Sequence, residues 1–112
     1  MEKFNLKDMI GGWVIGNFEP SLLKTNDVEV AIKRYKSGDY DSMHYHKIAT
    51  EYTVIVSGQV EMSGKIYNEN DILIINPLES TDFKAITDVI TVVVKIPGVS
   101  DDKYSHIINN TI

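Results

Sequence analysis

The chain has 112 residues and a formal net charge of −5, a length that suits one domain with one hydrophobic core. Apolar residues make up 43% and charged residues 24%, close to folded globular averages, and no apolar run approaches the ~20 residues needed to cross a bilayer. The acidic balance and scattered Lys and Arg argue against nucleic acid as a partner, and with no cysteine any metal must be held by His, Asp or Glu.

Met1 to Asp8 lacks the basic-then-apolar layout of a secretory signal, so a cytoplasmic location without a membrane partner is expected. Trp13 to Phe18 reads as an edge strand bracketed by Gly11-Gly12 and Pro20, with a possible helical turn near Pro20 to Lys24. From Val28 to Tyr35, apolar residues at Val28, Val30 and Ile32 recur with the period of a strand, which puts them and Arg34 on the inward face. Ser37-Gly38-Asp39 makes a turn into a short strand, Met43 to His46, and a longer one follows from Glu51 to Ser57.

Ser57-Gly58-Gln59 and Ser63-Gly64-Lys65 form two tight turns around Val60 to Met62, the second leading into Ile66-Tyr67. The continuous apolar run in Asp71 to Ile75 suggests a strand covered on both faces, ended by Asn76-Pro77. Phe83 to Ile86 and Ile90 to Ile96 supply two more strands, closed by Pro97-Gly98. Short strands separated by Gly, Pro, Asn and Asp indicate an all-β sandwich or barrel. The organisation expected is an N-terminal segment (1–27), a barrel (28–98) and a polar, peripheral tail (99–112), with His106 of the tail uninvolved.

The stretch from Gly38 to Gly58 carries the chemistry. His44 and His46 are two apart, so on a strand both imidazoles project from one face. Four residues separate His46 from Glu51, enough for a hairpin loop that sets the carboxylate across from the pair. Two imidazoles and a carboxylate leave coordination positions open for water or substrate, as in non-haem iron and related divalent-metal sites. An inward Glu51 without a cation would be costly, so it needs a partner.

The spacing G-x5-H-x-H-x4-E-x6-G, met by Gly38, His44, His46, Glu51 and Gly58, resembles the first cupin motif at every position. The resemblance implies a double-stranded β-helix, or jelly-roll cupin barrel, with a metal site inside. The second cupin motif is degenerate: Asn70 and Glu79 stand where glycines are usual, and Asp82 stands where the last histidine ligand is usual. Two outcomes are open: Asp82 ligates through oxygen, which suits Mn or Fe, or the first three residues act alone.

Arg34, Thr53 and Lys84 share the inward parity of their strands and are candidates for holding an anionic or hydroxylated small-molecule ligand. Tyr52, Val54 and Val56 on the face opposite Glu51 and Thr53, and Met43 and Tyr45 opposite the histidines, imply cover by another subunit, so a homodimer is expected, unless the segment around Trp13 does the covering. The functional expectation is a metal-binding cupin (Fe, Mn, Ni or Zn) acting on a sugar derivative or organic acid as an isomerase or dioxygenase. The alternative is a non-catalytic small-molecule-binding or sensory module.

Overall fold

In a computed structural model, residues 1–105 are described, and His106 and the rest of the tail lie outside them. Ten strands follow one 3-10 turn at Leu6–Asp8: β1 (Trp13–Ile15), β2 (Glu29–Tyr35), β3 (Tyr40–Tyr45), β4 (Thr50–Ser57), β5 (Gln59–Met62), β6 (Lys65–Asn68), β7 (Ile72–Ile75), β8 (Thr81–Ala85), β9 (Val89–Ile96) and β10 (Tyr104–Ser105). Every strand expected between Trp13 and Ile96 is present. The helical turn expected near Pro20 is not; that stretch consists of bends and unassigned backbone.

The strands form two five-stranded antiparallel sheets, ordered β1-β2-β9-β4-β7 and β10-β3-β8-β5-β6. Apart from the β1–β2 and β5–β6 pairs, sequence neighbours lie in different sheets, and single turns at Gly38 and Gly58 carry the chain from β2 to β3 and from β4 to β5. Both glycines have left-handed backbone, at φ 94° and 93°, where a side chain is strained. At Gly58 the approach is also tight: a Cβ there would lie 2.2 Å from the Asp88 carbonyl oxygen.

Ile55, Val60, Met62, Phe83, Ala85 and Val89 form the hydrophobic core, with Tyr35, Tyr67, Leu73 and Ile75 packed against it. Ile55 and Val89 belong to the end of β4 and β9 near the Gly58 turn, so that end of the barrel is filled. The other end, where Glu51 pairs with Lys95 and with Ile75, opens into a cavity.

Three expectations are corrected. On β2 the inward face is Ala31, Lys33 and Tyr35, while Val30, Ile32 and Arg34 point out; Ala31 is fully buried and Arg34 is exposed. The apolar alternation misled because β2 is apolar on its outer face and polar on its cavity face. On β7 one face is uncovered within the chain, with Ile72 and Ile74 68% and 58% exposed. Residues 99–105 are not peripheral: Asp102 is buried, and β10 pairs with β3 through Tyr104↔Tyr45 and Ser105↔His44.

Candidate metal and ligand site

β3 reaches the cavity through a bulge. Its register against β8 shifts between Asp41 and His44, so residues three apart, which a regular strand would send to opposite faces, both line the cavity. His46 follows where the strand ends, its ring 5.6 Å from that of His44 and edge-on to it. Glu51 and Thr53 arrive on the inner face of β4, and Thr53 Oγ1 donates to Glu51 Oε2 at 2.8 Å. The cavity measures about 240 Å³, and His44, His46, Glu51 and Thr53 are all in its wall.

The loop between His46 and Glu51 is pinned from the far end of the chain. The Asp102 carboxylate accepts the amide N–H groups of Lys47, Ile48 and Ala49, at 2.9 to 3.3 Å. Burial raises the Asp102 pKa, but those three amides together outweigh it and hold the carboxyl below its ordinary range. Tyr104 stacks on Tyr45 at 5.5 Å, and the Lys47 ammonium lies 4.3 Å from the Tyr104 ring. On the other side the Leu78 amide donates to the His46 carbonyl at 2.7 Å. No sequence pattern pointed to Asp102; a buried acid in a polar tail is visible only once the tail folds back.

The two histidines are prepared differently. His44 Nδ1 lies 2.8 Å from the Ser42 carbonyl, an acceptor only, so in the neutral ring the proton sits on Nδ1 and Nε2 keeps its lone pair. His46 is 4% exposed, and its Nε2 has no hydrogen-bond partner among the described residues. Burial above all, then the charge of Lys95, lowers the His46 pKa, while Glu51 and Asp102 oppose the shift. Two imidazoles with available nitrogens beside a carboxylate fit a divalent ion in kind. Among the described residues, however, no three His, Asp or Glu side chains are gathered onto one centre.

Asp82 does not join this set. It reaches the cavity wall, but Ser63 N donates to its Oδ1 at 2.8 Å and Tyr40 Oη to its Oδ2 at 3.2 Å. β8 instead sets Thr81 across from His44, and both Asp82 oxygens are already engaged by Ser63 and Tyr40. Of the expected ligand-binding residues, Thr53 lines the cavity. Arg34 and Lys84 are exposed and do not, because their strands face the other way.

The lysines that do line it, Lys33, Lys95 and Lys103, were missed; on β2 the wrong phase hid Lys33. Lys103 pairs with Asp41 at 3.3 Å. Tyr35, also in the wall, has its pKa pushed up to about 12, first by burial and then by Asp41, Glu51 and Asp39, so it keeps its proton.

No protein-family model and no curated protein sequence matches the chain. Solved structures do match in fold. One is an uncharacterized conserved protein with a double-stranded beta-helix domain from Klebsiella pneumoniae subsp. pneumoniae MGH 78578, at TM-score 0.65 and 21% identity, covering 86% of this chain and 84% of that one. KdgF from Halomonas sp. matches at TM-score 0.61 and 18% identity over 69% of this chain and 74% of its own. Bacillus subtilis oxalate decarboxylase, described with Mn(II) centers, matches at TM-score 0.60 and 15% identity over 72% of this chain and 24% of its own. At these identities the likeness is one of fold, and the chain is a double-stranded β-helix of the cupin type.

Proposed function

We propose that the barrel holds one divalent metal ion (Fe, Mn, Ni or Zn) through His44, His46 and Glu51 and offers it to a small polar molecule, a sugar derivative or organic acid. The observation that carries this is His46 Nε2, a buried nitrogen with no partner in a cavity that also contains His44 and Glu51. Leaving such an atom unsatisfied costs roughly 1–3 kcal/mol, a cost that a bound cation would remove. Oxalate decarboxylase, a protein of similar fold, has Mn(II) centers.

A metal held there would supply Lewis acidity, as isomerisation requires, or, if redox-active, would activate dioxygen, as a dioxygenase requires. The chain's own residues do the rest. Ser42 fixes the His44 tautomer, Thr53 orients the Glu51 carboxylate, and Asp102 holds the intervening loop in place. Tyr35 keeps a hydroxyl proton available to a ligand in the same cavity.

One observation favours the second reading, a non-catalytic small-molecule-binding module. The carboxylate at the usual place of the last ligand, Asp82, is engaged by Ser63 and Tyr40, which leaves the set one donor short.

We also propose that two copies associate through the outer face of the first sheet. Tyr52, Val54 and Val56 of β4, Ile72 and Ile74 of β7, and Val92, Val94 and Ile96 of β9 form a continuous outer surface by register. Tyr52, Val56, Ile72, Ile74 and Ile96 are exposed. None of the eight is charged, so in a chain of net charge −5 this face meets its own copy without like-charge repulsion. No helix among the described residues is long and apolar enough to cross a membrane. With no cysteine to staple, a cytoplasmic setting fits best.

Elemental analysis of the purified chain tests the metal reading. About one Mn, Fe, Ni or Zn per chain, lost in His44→Ala/His46→Ala, is expected. A metal-free chain that takes up none of these ions, yet melts higher with a small-molecule ligand, would overturn it in favour of the binding module.

A further inference from the structure

The cavity carries cations that a metal site does not use. Lys33 on β2 and Lys95 on β9 both face inward, and their ammonium groups approach the same indole, 5.4 and 5.0 Å from the Trp13 ring centroid. The electron-rich ring holds both in place. Among the described residues neither forms an ion pair, whereas the third lysine in the wall, Lys103, is paired with Asp41. Burial first, then the charges of Lys103 and Lys95, lower the Lys33 pKa against the opposing pull of Asp41 and Glu51, as crowded cations without a matching anion should be.

The carboxylates set across the strands from Lys95 do not fill that role. Glu29 and Glu51 are the cross-strand neighbours of Lys95. Neither comes within ion-pair distance of Lys95; Glu51 accepts from Thr53 instead, and burial raises the Glu29 pKa despite Lys95. On the same wall, Thr91 sits directly across from Lys33. It is 1% exposed, and its Oγ1 has no partner. A built cavity thus presents two ammonium groups without ion pairs and an unpartnered buried hydroxyl.

We infer that the cavity takes a small hydroxylated organic anion, its carboxylate or phosphate held between Lys33 and Lys95 beside Trp13, with a polar group reaching Thr91. Ammonium groups recognise either oxyanion as point charges, so the shared chemistry is the negative oxygen cluster. A volume of about 240 Å³ lies below the usual ~300–1,000 Å³ of ligand pockets, which limits the ligand to a few carbons. This rests on the reading of the cavity as the ligand site, but binding of the anion does not require the metal.

The test is calorimetric titration of the full chain, as purified and after chelator treatment, with malate, glycerol phosphate, inorganic phosphate and neutral glycerol. Saturable binding of at least one anion, none of glycerol, and a loss of tenfold or more in Lys33→Gln/Lys95→Gln are expected. Binding to carboxylates only identifies the ligand as an acid, and binding to phosphates only as an ester. The parent chain should keep anion binding after chelator treatment, which separates failure of the metal reading from failure of this one. Should the double lysine variant not fold, Lys33→Gln and Lys95→Gln singly are each expected to lose severalfold. Unchanged affinity in these variants, equal loss in the exposed pair Lys65→Gln/Lys84→Gln, or equal binding of glycerol overturns the inference.

Discussion

Asp102 and Ala49, far apart in sequence, are joined by a hydrogen bond of 2.9 Å from the Ala49 amide to the Asp102 carboxylate. That contact, with its companions at Lys47 and Ile48, makes Asp102 part of the site, because the loop it grips separates His46 from Glu51. Asp102→Ala leaves three amides without their acceptor and is expected to cost roughly 2–4 kcal/mol of unfolding free energy. Metal affinity should fall with it. Urea denaturation and metal titration of the variant check both.

The same carboxylate carries a pH signature. Its folded-state pKa lies below the ordinary value of 3.8, so its contribution is fully present above that value and is lost as pH falls below it. In Asp102→Asn, the stability difference from the parent chain should therefore be largest near neutrality and shrink below pH ~4. Equilibrium denaturation at several pH values between neutral and acid reads this directly.

Asp82 offers a sharp contrast with the three site residues. Its oxygens accept from Ser63 and Tyr40 at 2.8 and 3.2 Å, so Asp82→Ala is expected to lower stability by about 1 kcal/mol through the β5–β6 turn. Its metal content should match that of the unaltered chain. A loss of metal in this variant would restore Asp82 as a ligand.

Two turn positions should respond in opposite senses. Gly58→Ala places a Cβ 2.2 Å from the Asp88 carbonyl oxygen at φ 93°, and a loss of about 3 kcal/mol or more is expected. Leu78 follows Pro77 in a turn closed by Glu79 N donating to the Asn76 carbonyl at 3.1 Å, and has φ 73°. That is the third position of a type II turn, where glycine is favoured. Leu78→Gly is expected to gain about 0.5 kcal/mol, since the leucine is 68% exposed and buries little. Thermal unfolding of each variant decides it.

On the outer sheet face, Tyr52 and Ile74 are direct cross-strand partners. Ile72→Lys/Ile74→Lys puts two like charges on this apolar surface and, across a two-fold interface, four. Sedimentation velocity is expected to give a dimer for the parent chain and a monomer for this variant, with metal content unchanged. A monomeric parent chain at micromolar concentration would sink the dimer.

Legible from the residues alone were the strands between Trp13 and Ile96, the turns at Gly38 and Gly58, and the pattern that places His44, His46 and Glu51 in one cavity wall. Those features are local: strand period, turn chemistry and fixed spacing act within a few residues. Which face of β2 and β8 turns inward emerged from the packing of the two sheets. β2 carries apolar residues outside and polar ones in the cavity, so alternation alone assigned Arg34 inward when Lys33 is. That packing also decided the partners of Asp82 and the placement of Asp102, because those depend on segments distant in the chain meeting across two sheets, and a pattern of neighbours holds no record of such meetings.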